Sequence, residues 1–293
     1  MNISDIKAFV SVAQHHSFSQ AAEQLHMTQP AISKRIAVLE SSLDARLFDR
    51  IGRSVTLTTA GHALLPHAKK ILLEVSDSQR AIHNLSGAVS GQLSIGTSHH
   101  IGLHRLPNVL KSFNQTYTEV QLDLHFLDSE MACREVEQAN LELAVVTLPP
   151  LDSDRNKSAL LLIPIWNDPL VLVTAHDHPL CSLPNISDSD LLKHTAILPS
   201  HGTFTRTLID QHFNKQTQPL EINLETNYLE TIKMLVSIGQ GWSILPETLV
   251  DETLRLHHGC FSAQRTLGIV HHRKRTLSNA ALAFINICKT QIE

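Results

Sequence analysis

Within TQPAISKRIAVLE, Thr28 to Glu40, the seven residues from Gln29 to Arg35 carry an amide, a hydroxyl, an ammonium and a guanidinium, on Gln29, Ser33, Lys34 and Arg35. Ile32, Ile36 and Leu39 recur at helical spacing and claim one face for a core, so those polar groups lie toward or beside the opposite face. Thr28 is a good N-cap, which puts Gln29 and Pro30 in the first turn, where backbone N–H groups have no intrahelical partner and proline costs little. The positive end of a helix that also projects amide, hydroxyl and ammonium donors suits the edge of a base pair and its phosphates.

The flanking elements must position that helix. Ile6, Phe9, Val10 and Ala13 predict a first helix ending near His15-His16-Ser17. Ser19 is the expected cap of a second helix, with Ala21, Ala22 and Leu25 inward, followed by the short connector His26-Met27. Two short helices, the second exposing a donor-rich face, form the helix-turn-helix arrangement that enters a major groove. Arg50 and Arg53 flank Gly52 ahead of the alternating Val55-Thr56-Leu57-Thr58. This pattern reads as a β-wing along a phosphate backbone or as a solvated hairpin. Charge points the same way: the whole chain carries 24 basic against 28 acidic residues, yet residues 26 to 70 hold 7 against 3. One basic module on an acidic chain fits a polyanion, although a solvated helix face gives the same count.

The run FSQAAEQLHMTQPAISKRIAVLESSLDARLFDR, followed by R-x-V-x-LT-x-x-G, resembles the amino-terminal winged helix-turn-helix of LysR-type transcriptional regulators over most of the first 60 residues. The resemblance implies that Gln29, Pro30, Ser33 and Lys34 face DNA, with Arg50 and Arg53 on the wing. Thr28 and Arg35 complete the expected DNA-facing set, within a domain of residues 1–58. From residue 59 to 86 the seam Leu64, Ala68, Ile71, Val75, Ser78, Ile82, Leu85 alternates steps of four and three. Such a helix is about 40 Å long and cannot bury its stripe alone, which predicts a dimer. In the family this is the linker helix, pairing two DNA-binding domains on a partly palindromic site of double-stranded DNA.

GAVSG, residues 87–91, reads as a hinge. Beyond it QLSIGTS, VQLDLHF, LELAVVT, LVLVTA, TAILPS and EINLET read as strands, and residues 103–116, 130–139, 203–216 and 228–240 as helices. The expected class is α/β with mostly parallel sheets. A weaker resemblance continues in the GxLxIG opening, ELAVV and LVSIGQGWSILP. It implies a two-lobed effector domain similar to periplasmic solute-binding proteins. The chain would cross near Pro164 and return near Arg265, giving one lobe of residues 92–164 with 265–293 and another of 165–264.

Ligands in open α/β sheets sit beyond the carboxyl ends of strands. The candidates there are Thr97, Ser98, His99 and His100, then Ser129, Thr147, His201, Gly202, Thr203 and Asn227. Each alone is equally an ordinary cap; their recurrence after successive strands is what suggests a cleft. An organic or inorganic anion is expected ahead of a metal, with His201 a candidate partner of His99 and His100. A metal-responsive regulator using cleft histidines and an architectural repressor without effector are the alternatives.

The 19 histidines include no H-E-x-x-H, and Cys133, Cys181, Cys260 and Cys288 form no C-x-x-C. No G-x-S-x-G, P-loop or G-x-G-x-x-G occurs, so no catalytic residue, metal-ligand set or cofactor is expected. The cysteines read as idle thiols or, alternatively, a redox pair. With no long apolar run or signal-like start, the expected setting is the cytoplasm, without a membrane partner. The expected assembly is a dimer or tetramer, with RNA polymerase as a further partner.

Overall fold

α1 (Ile3–His15) starts at a reciprocal cap in which Asn2 and Asp5 exchange side-chain and backbone hydrogen bonds. It ends at His16, whose φ of 51° turns the chain into the left-handed region. Ser17, rather than Ser19, caps α2 (Phe18–Gln24), its hydroxyl accepting from Gln20 N. Phe18 is buried in the first turn, and drawing that ring inward starts the helix two residues earlier than the small-residue pattern suggests. α3 (Gln29–Leu43) follows, with Pro30 in its first turn and Ile32, Ile36 and Leu39 buried.

This computed structural model describes residues 1–51, 54–149, 159–213, 220–261 and 263–291, and its chain divides into units Met1–Ser86 and Gly87–Glu293. In the first unit, β1 (Phe48–Ile51) and β2 (Ser54–Leu57) pair antiparallel, Phe48 opposite Leu57. The Phe48 ring stands 5.4 Å from that of Phe9 and 5.8 Å from that of Phe18, anchoring the hairpin on the helical core. Gly52 and Arg53 lie outside the described residues; Arg50 has its backbone in β1, opposite Val55.

Thr58 caps α4 (Thr59–Asn84) by accepting from Gly61 N and donates to Arg46 O at 2.6 Å. Leu64, Leu65, Ile71 and Leu72 pack on the winged core around buried Ala68. Farther along, the seam leaves the core: Ile71, Val75, Ser78 and Ile82 line an open groove, and Ile82 is 72% exposed.

The second unit contains, in chain order, β3 (Gly91–Thr97), α5 (His99–His104), α6 (Leu106–Thr116), β4 (Val120–Phe126), α7 (Ser129–Glu137), β5 (Leu143–Thr147) and β6 (Leu160–Thr174). Then follow α8 (Asp188–Leu191), β7 (Ala196–Leu198), α9 (Phe204–Phe213), β8 (Ile222–Glu225), α10 (Leu229–Ser237), β9 (Ser243–Pro246), β10 (Arg255–His257), β11 (Ala263–His272) and α11 (Asn279–Thr290). The single helix expected over 103–116 is two, broken at Arg105. Pro107 sits in the first turn of α6, where it removes a donor and blocks continuation from α5.

The main sheet runs β10-β6-β11-β5-β3-β4, with β9 also on β6. It is mixed, where alternation alone suggested mostly parallel sheets. β3 is parallel to β4 and β5, and β7 to β8, but β11 returns antiparallel to both β5 and β6. Pro164 does not end its strand: β6 continues through it, with a register shift that leaves Ile165 without an opposite residue in β11. Ile165 and Trp166 join the core of β3, β5 and α11, whereas Leu170 and Leu172 join that of β7 and Trp242. One strand thus serves two cores, and these are the two lobes.

A Cβ at Gly61 would collide with the Leu47 carbonyl oxygen and stand 2.8 Å from Leu57 Cδ2. Gly61→Ala is therefore expected to destabilise the first unit by about 1–3 kcal/mol. Urea unfolding followed by circular dichroism reads that loss, while fluorescence from Trp166 and Trp242, both in the second unit, moves less.

Candidate functional site

On the first unit, α3 and its N-cap present Thr28, Gln29, Pro30 and Lys34 exposed and Ser33 and Arg35 half-buried. The Thr28 backbone is the extended N-cap, but its hydroxyl makes no capping bond. Gln29 Nε2 donates to Ser33 Oγ at 3.3 Å, which aligns the two side chains along one edge of the helix. Arg35 differs: its Nη1 pairs with the buried carboxylate of Asp5 at 3.3 Å and ties α3 to α1.

In the second unit, β3 and β5 run parallel, so Thr97-Ser98 and Thr147 emerge at one sheet edge. β7 and β8, also parallel, deliver Pro199–Thr203 and Thr226-Asn227 from the other lobe. Ser98, His100, Ser129, Thr147, Thr203 and Asn227, all expected from sequence, line the resulting cavity, which offers about 50 Å³ to water-sized molecules. Thr97 is buried beside it but does not line it. His99 is exposed, its ring 5.2 Å from Phe126 and 5.0 Å from Tyr228. His201 does not meet the other histidines. It is 70% exposed beside Arg206, Asp210 and Glu225, and neither it nor Gly202 lines the cavity.

The cavity is closed by contacts between lobes. Asn227 Nδ2 donates to Asp128 Oδ2 at 2.8 Å, Phe204 N to Glu130 Oε1 at 2.5 Å, and Arg265 Nη1 to Thr205 Oγ1 at 3.0 Å. Burial raises the Glu130 carboxyl above the usual carboxylate range, against the Phe204 donor. Burial likewise lowers the His100 pKa, favouring the neutral ring, with nearby Glu230 acting against it.

Sequence reasoning left out the charged centre. Asp168 and Arg265 are directly opposed in the β6–β11 ladder, and Arg265 Nε donates to Asp168 Oδ2 at 2.6 Å. The other oxygen, Oδ1, accepts from Arg105 Nη2 at 3.0 Å. Arg265 Nη2 and Arg105 Nε are buried and have no hydrogen-bond partner among the described residues. The available signal was a charge inside each apolar run, Asp168 in IWNDPLVLV and Arg265 in AQRTLGIV. Paired charges and hydrogen bonds satisfy part of such a buried group.

Asp168→Asn removes the fully buried carboxylate that bonds both Arg105 and Arg265. The expected cost is about 3–5 kcal/mol, read as a lower urea midpoint in tryptophan fluorescence.

Residues 3–62 match the family described as "Bacterial regulatory helix-turn-helix protein, lysR family", and residues 86–293 match "LysR substrate binding domain". A protein of Nostoc sp. described as "Probable RuBisCO transcriptional regulator" is 31% identical over 291 residues, covering 96% of this chain and 86% of its own. A full-length OxyR variant from Pseudomonas aeruginosa superposes with TM-score 0.70 at 22% identity, over 100% of this chain and 97% of that one. Full-length CbnR, solved in complex with its target DNA, gives TM-score 0.62 at 19% identity over the whole of both chains. With both family domains matched in order, and the winged helix-turn-helix and two-lobed α/β unit both present, the chain belongs to the LysR-type transcriptional regulators.

Proposed function

We propose that this regulator couples operator binding through α3 to a small anionic effector held in the interlobe cavity. The observation that carries the reading is buried Arg265, a lining residue of the cavity whose Nη2 has no hydrogen-bond partner among the described residues. Hydroxyls of Ser98, Ser129 and Thr205 belong to residues around the same space and suit a carboxylate or an inorganic oxyanion. Residues 1–58 read DNA, 59–86 pair two copies along the exposed seam, 87–91 join the halves, and the lobes close on the effector. RNA polymerase is a further partner of the bound dimer or tetramer, and the setting is the cytoplasm. An effector that prefers one degree of lobe closure shifts the population of subunit arrangements and thereby the grip on DNA.

For the DNA arm, Lys34→Ala is expected to weaken operator binding and lower the salt slope by about 1, with circular dichroism unchanged. Ser33→Ala is expected to weaken the same binding at moderate salt. Gel shift across a salt series checks both, and unaltered affinity in both variants would sink the α3 assignment.

For the sensor arm, a thermal-shift screen of small carboxylates and inorganic oxyanions should find a ligand that stabilises the wild type by about 2.7 kcal/mol at a hundred times its Kd. Thr205→Val, which keeps the size of the side chain, should blunt that shift. A screen in which nothing moves either melting or DNA binding would favour the architectural repressor instead.

A further inference from the structure

His100 and His104 stand one turn apart on α5, and their rings are 4.9 Å apart. Facing them from the other lobe is Glu230, in the first turn of α10. Its Oε1 lies 3.0 Å from His104 Nε2 and 3.6 Å from His100 Nδ1. One donor atom from each of the three residues fits within a span of 4.8 Å. The His100 side chain is only 4% exposed, and among the described residues neither ring nitrogen has a hydrogen-bond partner. A buried imidazole so placed among potential ligands, with both nitrogens unspent, is the second and independent pointer to an occupant.

We propose that His100, His104 and Glu230 form a site for a divalent transition metal of the zinc class, clasping α5 of one lobe to α10 of the other. Two imidazoles and one carboxylate make a common zinc donor set that leaves an open fourth position. Ligands about 2.1 Å from a tetrahedral ion stand roughly 3.4 Å apart, so the existing separations need only small adjustments. Asp168 Oδ2 lies 4.0 Å from His100 Nε2 and supplies the outer carboxylate that orients a metal-bound histidine through its other nitrogen. Arg105 and Arg265, both bonded to that carboxylate, add positive charge nearby. That charge opposes the cation and favours an anion as fourth ligand. The site goes beyond the anion reading and does not depend on it.

The competing reading is a hydrogen-bonded latch between His104 and Glu230 that takes no metal. Full-length protein stripped with chelator and titrated with Zn²⁺ by calorimetry should bind one ion per chain tightly. Replacing Zn²⁺ with Co²⁺ should give the visible absorption of a four-coordinate site. His104 is exposed and Glu230 half-buried, so His104→Ala and Glu230→Gln are expected to keep the fold, checked by circular dichroism. Each should weaken Zn²⁺ binding at least about 10-fold, the lower bound for disturbing even an outer-shell partner, and abolish the Co²⁺ spectrum. His99→Ala and His201→Ala, whose side chains lie elsewhere, should leave both intact. No stoichiometric site, or a site unchanged in either His104→Ala or Glu230→Gln, overturns the proposal. None of these readouts involves DNA or an anion, so failure here leaves the effector reading standing.

Discussion

The fully buried carboxylate of Asp168 is the point on which the second unit turns. It sits on β6 where that strand passes from one core to the other, and it faces Arg265 on the returning strand. Through Arg105 it holds the junction of α5 and α6, and through Arg265 it reaches Thr205 at the start of α9. Crossing strands and both lobes therefore share one electrostatic centre. Burying charges is costly unless they are paired and hydrogen-bonded, so the arrangement specifies geometry more than it adds stability.

Around that centre the cleft is bridged by side chains from both lobes. Asp128 with Asn227, Glu130 with the Phe204 backbone, and His104 with Glu230 each join opposite lobes. A ligand acts on such a pair of lobes only to the extent that it contacts the closed and open forms differently. The lobes are joined at β6 and β11, whose residues belong to different cores at their two ends.

Much of the first unit was legible because its information is local. Ile32, Ile36 and Leu39 recur at helical spacing, and burying them leaves the Gln29, Ser33 and Lys34 edge outward. The same reasoning misplaced the cap of α2, since Phe18 is buried against Phe48 rather than against neighbours in sequence. Arg35 has the composition of a DNA contact, yet its pairing with Asp5, 30 residues away, gives it a structural bond as well. In the second unit, local pattern found most strands but missed the direction of β11, which is set by where the chain returns from.

The sequence by itself determined most of the elements, the family and the donor-rich edge of α3, because hydrophobic period, caps and a dense motif are all written within a few residues of one another. It also placed hydroxyls and histidines at strand ends, since parallel strands put those ends on one edge. Only the tertiary structure decided which of them meet. His100 turned inward while its neighbour His99 packed outside with Phe126 and Tyr228, and His201 went to Arg206 instead. Asp168 with Arg265, 97 residues apart, and His104 with Glu230, 126 apart, come from distant parts of the chain, as does His100. Their meeting depends on strand register and on the approach of two lobes, and neither quantity is encoded in any local stretch of chain.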